Sequence, residues 1–222
     1  MKVEEIRVRG INSVVEALKA GVVRRVYLRD ESGRRKEIAK LARKAGVEVV
    51  RADVEIQGVA ADVRVTYSDF DELLTGEGFI LYADGVEDPR NLGALIRSAV
   101  FFGCSGVAIP KRRCVKITDA VVRTSAGAVF HTRISFASSS HLKKAKKLGY
   151  GVFAAELDGV DIRKANLFTP AVLAVGGEDR GISRPVKNVC DEIVKIPGRG
   201  KLNSLNLSVA AGIIMYCLVY GV

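Results

Sequence analysis

Short apolar runs alternate with helical spacings along the first third of this chain. Val14, Val15 and Leu18 fall on one stripe of a short helix that follows Asn12-Ser13. Arg25-Val26-Tyr27-Leu28 reads as a strand. Gly33 to Ala45 reads as a strongly basic helix ended by Gly46, and Val47-Glu48-Val49-Val50 as the next strand. A polar stretch follows at residues 67–77, and beyond it the apolar runs become continuous. Phe79 to Ala83, Gly106 to Ile109, Tyr150 to Ala155, Ala171 to Val175 and Ile193 to Ile196 read as strands. Helical stretches begin near Pro89, Thr118, Ser139, Ser183 and Asn203. Strands apolar on both faces, alternating with helices, predict an α/β protein with a mostly parallel sheet covered on both sides. The expected organisation is a small unit over residues 1–66, a linker over 67–77 and a larger unit over 78–222. The most apolar stretch, Val209 to Val222, reads as a buried terminal helix too short to span a bilayer.

At 222 residues, 48% hydrophobic and 27% charged, the chain has ordinary globular chemistry, which excludes a disordered or collagen-like protein. The formal net charge of +10 favours a polyanionic partner, nucleic acid before an anionic membrane. Residues 1–66 hold 15 of the 35 Lys and Arg but 10 of the 25 Asp and Glu, so half the surplus lies on under a third of the chain. The alternative for such a basic helix is a solvated face. No signal-peptide pattern opens the sequence. Cys104, Cys114, Cys190 and Cys217 are scattered and only two histidines occur, so no metal site is expected, and the thiols read as small cytosolic hydrophobes.

Three segments carry chemistry. In Asp88-Pro89-Arg90-Asn91-Leu92-Gly93-Ala94-Leu95-Ile96-Arg97-Ser98-Ala99, Asp88 suits an N-cap and Pro89 the first turn. Gly93 and Arg97 share a face, Gly93 leaving room for a ligand and Arg97 offering a charged fork suited to phosphate. Gly176-Gly177-Glu178-Asp179-Arg180-Gly181-Ile182 follows a strand, where glycines let backbone amides approach a ligand. Neither a dinucleotide fingerprint nor a P-loop is present. Ile196-Pro197-Gly198-Arg199-Gly200-Lys201-Leu202-Asn203-Ser204-Leu205-Asn206-Leu207-Ser208 runs from an irregular loop into a helix, and capping explains one of its small polar residues.

In this order the three segments resemble the SpoU (TrmH) family of RNA ribose 2′-O-methyltransferases, of the SPOUT class. Gly10 to Leu18 and Gln57-Gly58-Val59-Ala60-Ala61 are similar to the family's accessory substrate-binding domain, with Ile56 where relatives often carry histidine. The resemblance implies an N-terminal RNA-binding domain and a C-terminal methyltransferase domain with a deep trefoil knot. It implies S-adenosylmethionine contacting Gly176, Ile196 and Leu205, with Gly177, Ser204 and the loop Pro197–Gly200, Gly198 included, as neighbours. Asn91, Arg97, Glu178, Ser204 and Asn206 match the family's functional positions, Arg97 holding an RNA phosphate and the target ribose and Glu178 anchoring Asn91 or a loop. It implies a cytoplasmic homodimer with the C-terminal helix near its interface. The accessory domain points to ribosomal rather than transfer RNA. A non-catalytic RNA-binding or ribosome-assembly factor is the alternative, and the same chemistry on transfer RNA is another.

Overall fold

The structure, a computed structural model, describes residues 2–221. The apolar runs pair side by side into one sheet. Its order starts at β10 (Glu192–Lys195), β8 (Gly151–Asp161) and β9 (Ala171–Gly176). It continues through β5 (Phe79–Asp84), β6 (Gly106–Ile109) and β7 (Ile134–Phe136), and all of these strands run parallel. The same sheet passes into β4 (Val59–Ser68), β2 (Val23–Leu28) and β3 (Glu48–Arg51), with β1 (Lys2–Arg9) antiparallel along β4.

Every residue of β5 is buried, and its alternation divides the core. Phe79, Leu81 and Ala83 pack with Leu92, Leu95 and Ile96 of α3 (Pro89–Phe101). Ile80 and Tyr82 pack with Leu142 and Ala145 of α5 (Ser139–Lys147) and Val186 of α6 (Arg184–Lys187). The α3 side also carries α4 (Asp119–Thr124) and α7 (Leu207–Tyr220), while α1 (Ile11–Lys19) and α2 (Gly33–Lys44) belong to the N-terminal unit. Each fully buried Leu or Ile contributes roughly 1.5–3 kcal/mol relative to exposure.

The stretch expected as a linker is built into the fold. Tyr67 and Ser68 finish β4 and pair with Ile134 and Ser135 of β7. Phe70–Leu73 forms a 3-10 turn whose Phe70 and Leu73 are buried, anchors that the surrounding polar residues conceal in the sequence. The Tyr67 ring stacks on Phe136 at 4.3 Å. Its hydroxyl donates to Glu4 Oε2 at 3.2 Å and accepts the Ile117 N–H at 3.4 Å. Asp119 accepts the Arg9 N–H at 2.8 Å and is flanked by the Arg9 and Arg123 side chains. His131 Nε2 lies 2.7 Å from Glu16 Oε2.

The terminal helix differs from its sequence reading. It starts at Leu207 rather than near Asn203, because the Asn206 side chain caps it by accepting the Ser208 N–H at 3.0 Å. It is buried on one face only. Ala211, Ile214, Met215, Cys217 and Leu218 are inside, whereas Val209, Ile213, Tyr216 and Tyr220 face out, the two tyrosines edge-on to Phe102. The four cysteines are free, and burial pushes the Cys114 thiol up to about 12 and the Cys190 thiol up to about 11.

The Asp119 junction gives a direct test. Truncating a carboxylate that accepts a buried N–H beside two cations should remove about 2 kcal/mol. A urea melt of Asp119→Ala should show that loss, and an unchanged midpoint would show that the junction adds nothing to stability.

Candidate active site

The Asp88 carboxylate accepts the Arg90 N–H at 2.7 Å, and Pro89 sits in the first turn, where its missing N–H is not needed. This start aims Asn91 inward, away from solvent. Its Nδ2 donates to Glu178 Oε1 at 2.9 Å, tying the first turn of α3 to the loop after β9.

That loop is held at several further points. Gly177 N–H donates to the Asp84 carbonyl at 3.0 Å, and Gly181 N–H to the Gly177 carbonyl at 2.9 Å. The Asp84 side chain accepts the Ser183 N–H at 2.7 Å, and Glu156 Oε1 accepts the Ile182 N–H at 2.6 Å. Lys187 lies 3.0 Å from the same Glu156 oxygen, and that carboxylate pushes the ammonium pKa up. Sequence reasoning passed over Asp84 and Glu156. The signal for Asp84 was a lone carboxylate ending a wholly apolar strand.

Three glycines are pressed against neighbouring chain on the side where a Cβ would stand. A Cβ on Gly176 would overlap the Gly181 carbonyl and the Ile182 nitrogen, and one on Gly177 would overlap the Gly85 carbonyl. Protein backbone, not a ligand, occupies the space these two residues leave open. A Cβ on Gly93 would come 2.7 Å from Thr124 Cβ and 2.8 Å from the Val121 carbonyl, so Gly93 seats α4 against α3 rather than leaving room for a ligand.

Arg97 projects from α3, exposed and without a hydrogen bond or ion pair to any described residue. It borders a groove between α3 and α7 that includes Ser98, Thr124, Ser208 and Gly212. Ile196 packs half-buried against the core, whereas Pro197, Gly198, Ser204 and Leu205 are exposed. From Pro197 to Leu205 the chain makes no hydrogen bond among the described residues, and Gly198 and Gly200 border open space. The structure therefore joins Asn91 to Glu178 and brings Arg97 to the start of α7. Ser204 touches neither group, and Asn206 is engaged as a helix cap. Chemically, the arrangement offers an unpaired guanidinium at an open groove, a run of unbonded amides and carbonyls leading into α7, and a loop after β9 held by several hydrogen bonds.

Gly176→Ala should destabilise the protein by about 3 kcal/mol or prevent folding, since backbone rather than a movable side chain fills the site. Gly198→Ala should stay within about 0.5 kcal/mol of the parent. Thermal melts of the two variants check this, and a well-folded Gly176→Ala protein would contradict the geometry.

Residues 78–216 match the model of the SpoU rRNA Methylase family. An uncharacterized tRNA/rRNA methyltransferase of Archaeoglobus fulgidus is 50% identical, over 96% of this chain and 98% of its own length. Among solved structures, the SpoU methyltransferase AviRb of Streptomyces viridochromogenes, in complex with AdoMet, shares the fold. Its TM-score is 0.84 at 24% identity, covering 97% of this chain and 89% of that one. An RNA 2′-O ribose methyltransferase superposes with a TM-score of 0.78 at 25% identity, over 98% of this chain and 88% of its own. With the family model spanning the larger unit and a relative of this identity along nearly the whole length, the chain belongs to the SpoU family of RNA methyltransferases.

Proposed function

We propose that this protein transfers a methyl group from S-adenosylmethionine to a ribose 2′-hydroxyl of large-subunit ribosomal RNA. The observation that carries this reading is the exposed, unbonded loop 197–205, which runs into α7 where Arg97 of α3 borders the same groove. Such a loop fits an adenosyl group, because its free amides and carbonyls match the polar edges of a base and ribose, and its glycines permit close approach. Ile196, Pro197, Gly198, Ser204 and Leu205 would hold the cofactor, while Gly176 and Gly177 keep the pocket wall in place from behind. We read the tight passage at Gly176 as part of a knotted chain.

S-adenosylmethionine supplies, when bound, a methyl group already activated on a sulfonium. The work left to the protein is to orient the hydroxyl and let its proton leave. Orientation of this kind contributes about 7–11 kcal/mol in the best cases. Arg97, a planar donor fork with no acceptor, holds an RNA phosphate, fixing the ribose while the hydroxyl proton passes to a phosphate oxygen or water. Glu178 positions Asn91, and Asn206 sets the start of α7. The Ser204 hydroxyl is free to bond the ribose.

The outward apolar strip of Val209, Ile213, Tyr216 and Tyr220 supports a homodimer through α7. The N-terminal unit supports ribosomal over transfer RNA, and four free cysteines support a cytoplasmic setting.

Mass spectrometry of nucleosides from ribosomal and transfer RNA, after incubation with protein and S-adenosylmethionine, tests the reading. A new 2′-O-methyl nucleoside in ribosomal RNA is the expected result. Base methylation, or methylation of transfer RNA alone, would overturn it. Arg97→Ala should reduce the single-turnover rate at least about a hundredfold with cofactor affinity retained, and Arg97→Lys should rescue poorly. Near-normal transfer by folded Arg97→Ala would remove this residue from the site.

A further inference from the structure

Most arginines of the N-terminal unit are already engaged. Arg7, Arg24, Arg25, Arg29, Arg35 and Arg43 of the N-terminal unit each pair with a carboxylate of the same unit. Neutralised in place, these side chains leave little attraction for a distant polyanion.

Unpaired cations remain on α2 at Lys36, Lys40 and Lys44, and a second set collects elsewhere. On the α5/α6 side, the carboxyl ends of β5, β6 and β7 open into a crevice of about 760 Å³. Lys111, Arg112 and Arg113 reach it from the loop after β6, and Arg180 and Arg184 from the segment after β9. None of the five makes a hydrogen bond or ion pair through its side chain with a described residue. Two carboxylates share the crevice, and one of them, Asp84, is occupied by the Ser183 N–H. Five like charges on facing walls repel one another unless an anion comes between them. The carboxyl ends of parallel strands are also where open α/β sheets receive ligands.

The crevice is joined to the candidate active site at one end and to the N-terminal unit at the other. Gly85 and Gly181 belong both to its wall and to the backbone crossing at Gly176 and Gly177. Lys111, Phe136 and His141 also line a second cleft, which reaches Lys2 and Tyr67 at the junction of the two units. The two concavities meet at these three residues, but in the second Lys2 and Lys116 lie against Glu4 and Lys144 against Asp71, so the unpaired charge is concentrated in the first.

We propose that this crevice holds the phosphodiester backbone of the RNA substrate, with Arg112, Arg113 and Arg184 as its principal phosphate contacts. The inference rests on the RNA-methyltransferase reading and assigns the affinity of that enzyme to a surface outside its transfer groups. Repeating phosphates suit cations on two walls, and arginine forks bind them with defined geometry.

The test uses the full-length protein and protein-free large-subunit ribosomal RNA, with binding measured across a salt titration. The variant Arg112→Ala/Arg113→Ala/Arg184→Ala should lower the slope of log affinity against log salt by about two to three. It should weaken binding about tenfold or more at physiological salt, with S-adenosylmethionine affinity by calorimetry within about twofold of the parent. Circular dichroism confirms folding. A parallel variant, Lys36→Ala/Lys40→Ala/Lys44→Ala, removes three exposed lysines of α2 and should change the slope by less than about one. An unchanged slope in the arginine variant, or the larger loss in the lysine variant, overturns the proposal. Failure of the parent protein to methylate the same RNA would instead overturn the activity reading, because these arms measure binding alone.

Discussion

At the end of β9 the chain runs so close to two other backbone segments that no side chain fits between them. Gly176 lies against Gly181 and Ile182, and Gly177 against the Gly85 carbonyl. A β-carbon at either place would overlap main-chain atoms, and those atoms sit in strands and turns with nowhere to move. The loops after β5 and β9 are thereby fixed to each other. Everything proposed for chemistry hangs from that pair of loops. Asp88 caps α3 just after the first loop, and α3 carries Asn91 and Arg97. Glu178 lies on the second loop and reaches back to Asn91. The Asn91–Glu178 bond then locks the helix in rotation, so that Arg97, two turns on, is presented in one direction.

Rigidity on this side contrasts with the adjoining loop at 197–205. There the backbone bonds to nothing among the described residues, and the side chains are exposed. A clamped loop and an unbonded one suit the two halves of the cofactor site proposed above. The clamped loop keeps its shape without ligand, and the unbonded one contributes polar groups that water satisfies until a ligand replaces it. Charge is partitioned with comparable economy. The N-terminal unit balances its arginines against its own carboxylates, whereas the carboxyl edge of the central sheet leaves its arginines unpaired.

Much of the fold was legible from apolar spacing. The strands of the larger unit and the helix starting at Pro89 follow directly from continuous apolar runs and a cap-proline start. Three strands were not legible. In β1 charged residues dominate, β7 has only three residues, and β4 follows a turn built on positive-φ Gln57 and Gly58. The buried anchors Phe70 and Leu73 were hidden among acidic neighbours in a stretch that composition marks as a linker. The motifs showed which residues matter but not how. Glycine beside a ligand and glycine beside backbone have the same sequence signature, and only the crossing distinguishes them. The Asn91–Glu178 pairing, by contrast, follows the expectation that Glu178 anchors its neighbour.

If the crossing is the element on which the site depends, its amides must open only when the whole protein does. Hydrogen exchange monitored by NMR at Gly177, Gly181, Ile182 and Ser183 measures this directly, since each amide donates to a named acceptor across the crossing. These four should exchange with the same free energy as the central amides of β5 and β9, at the level of global unfolding. Exchange at the fast, locally opened rates expected for the 197–205 loop would contradict the account.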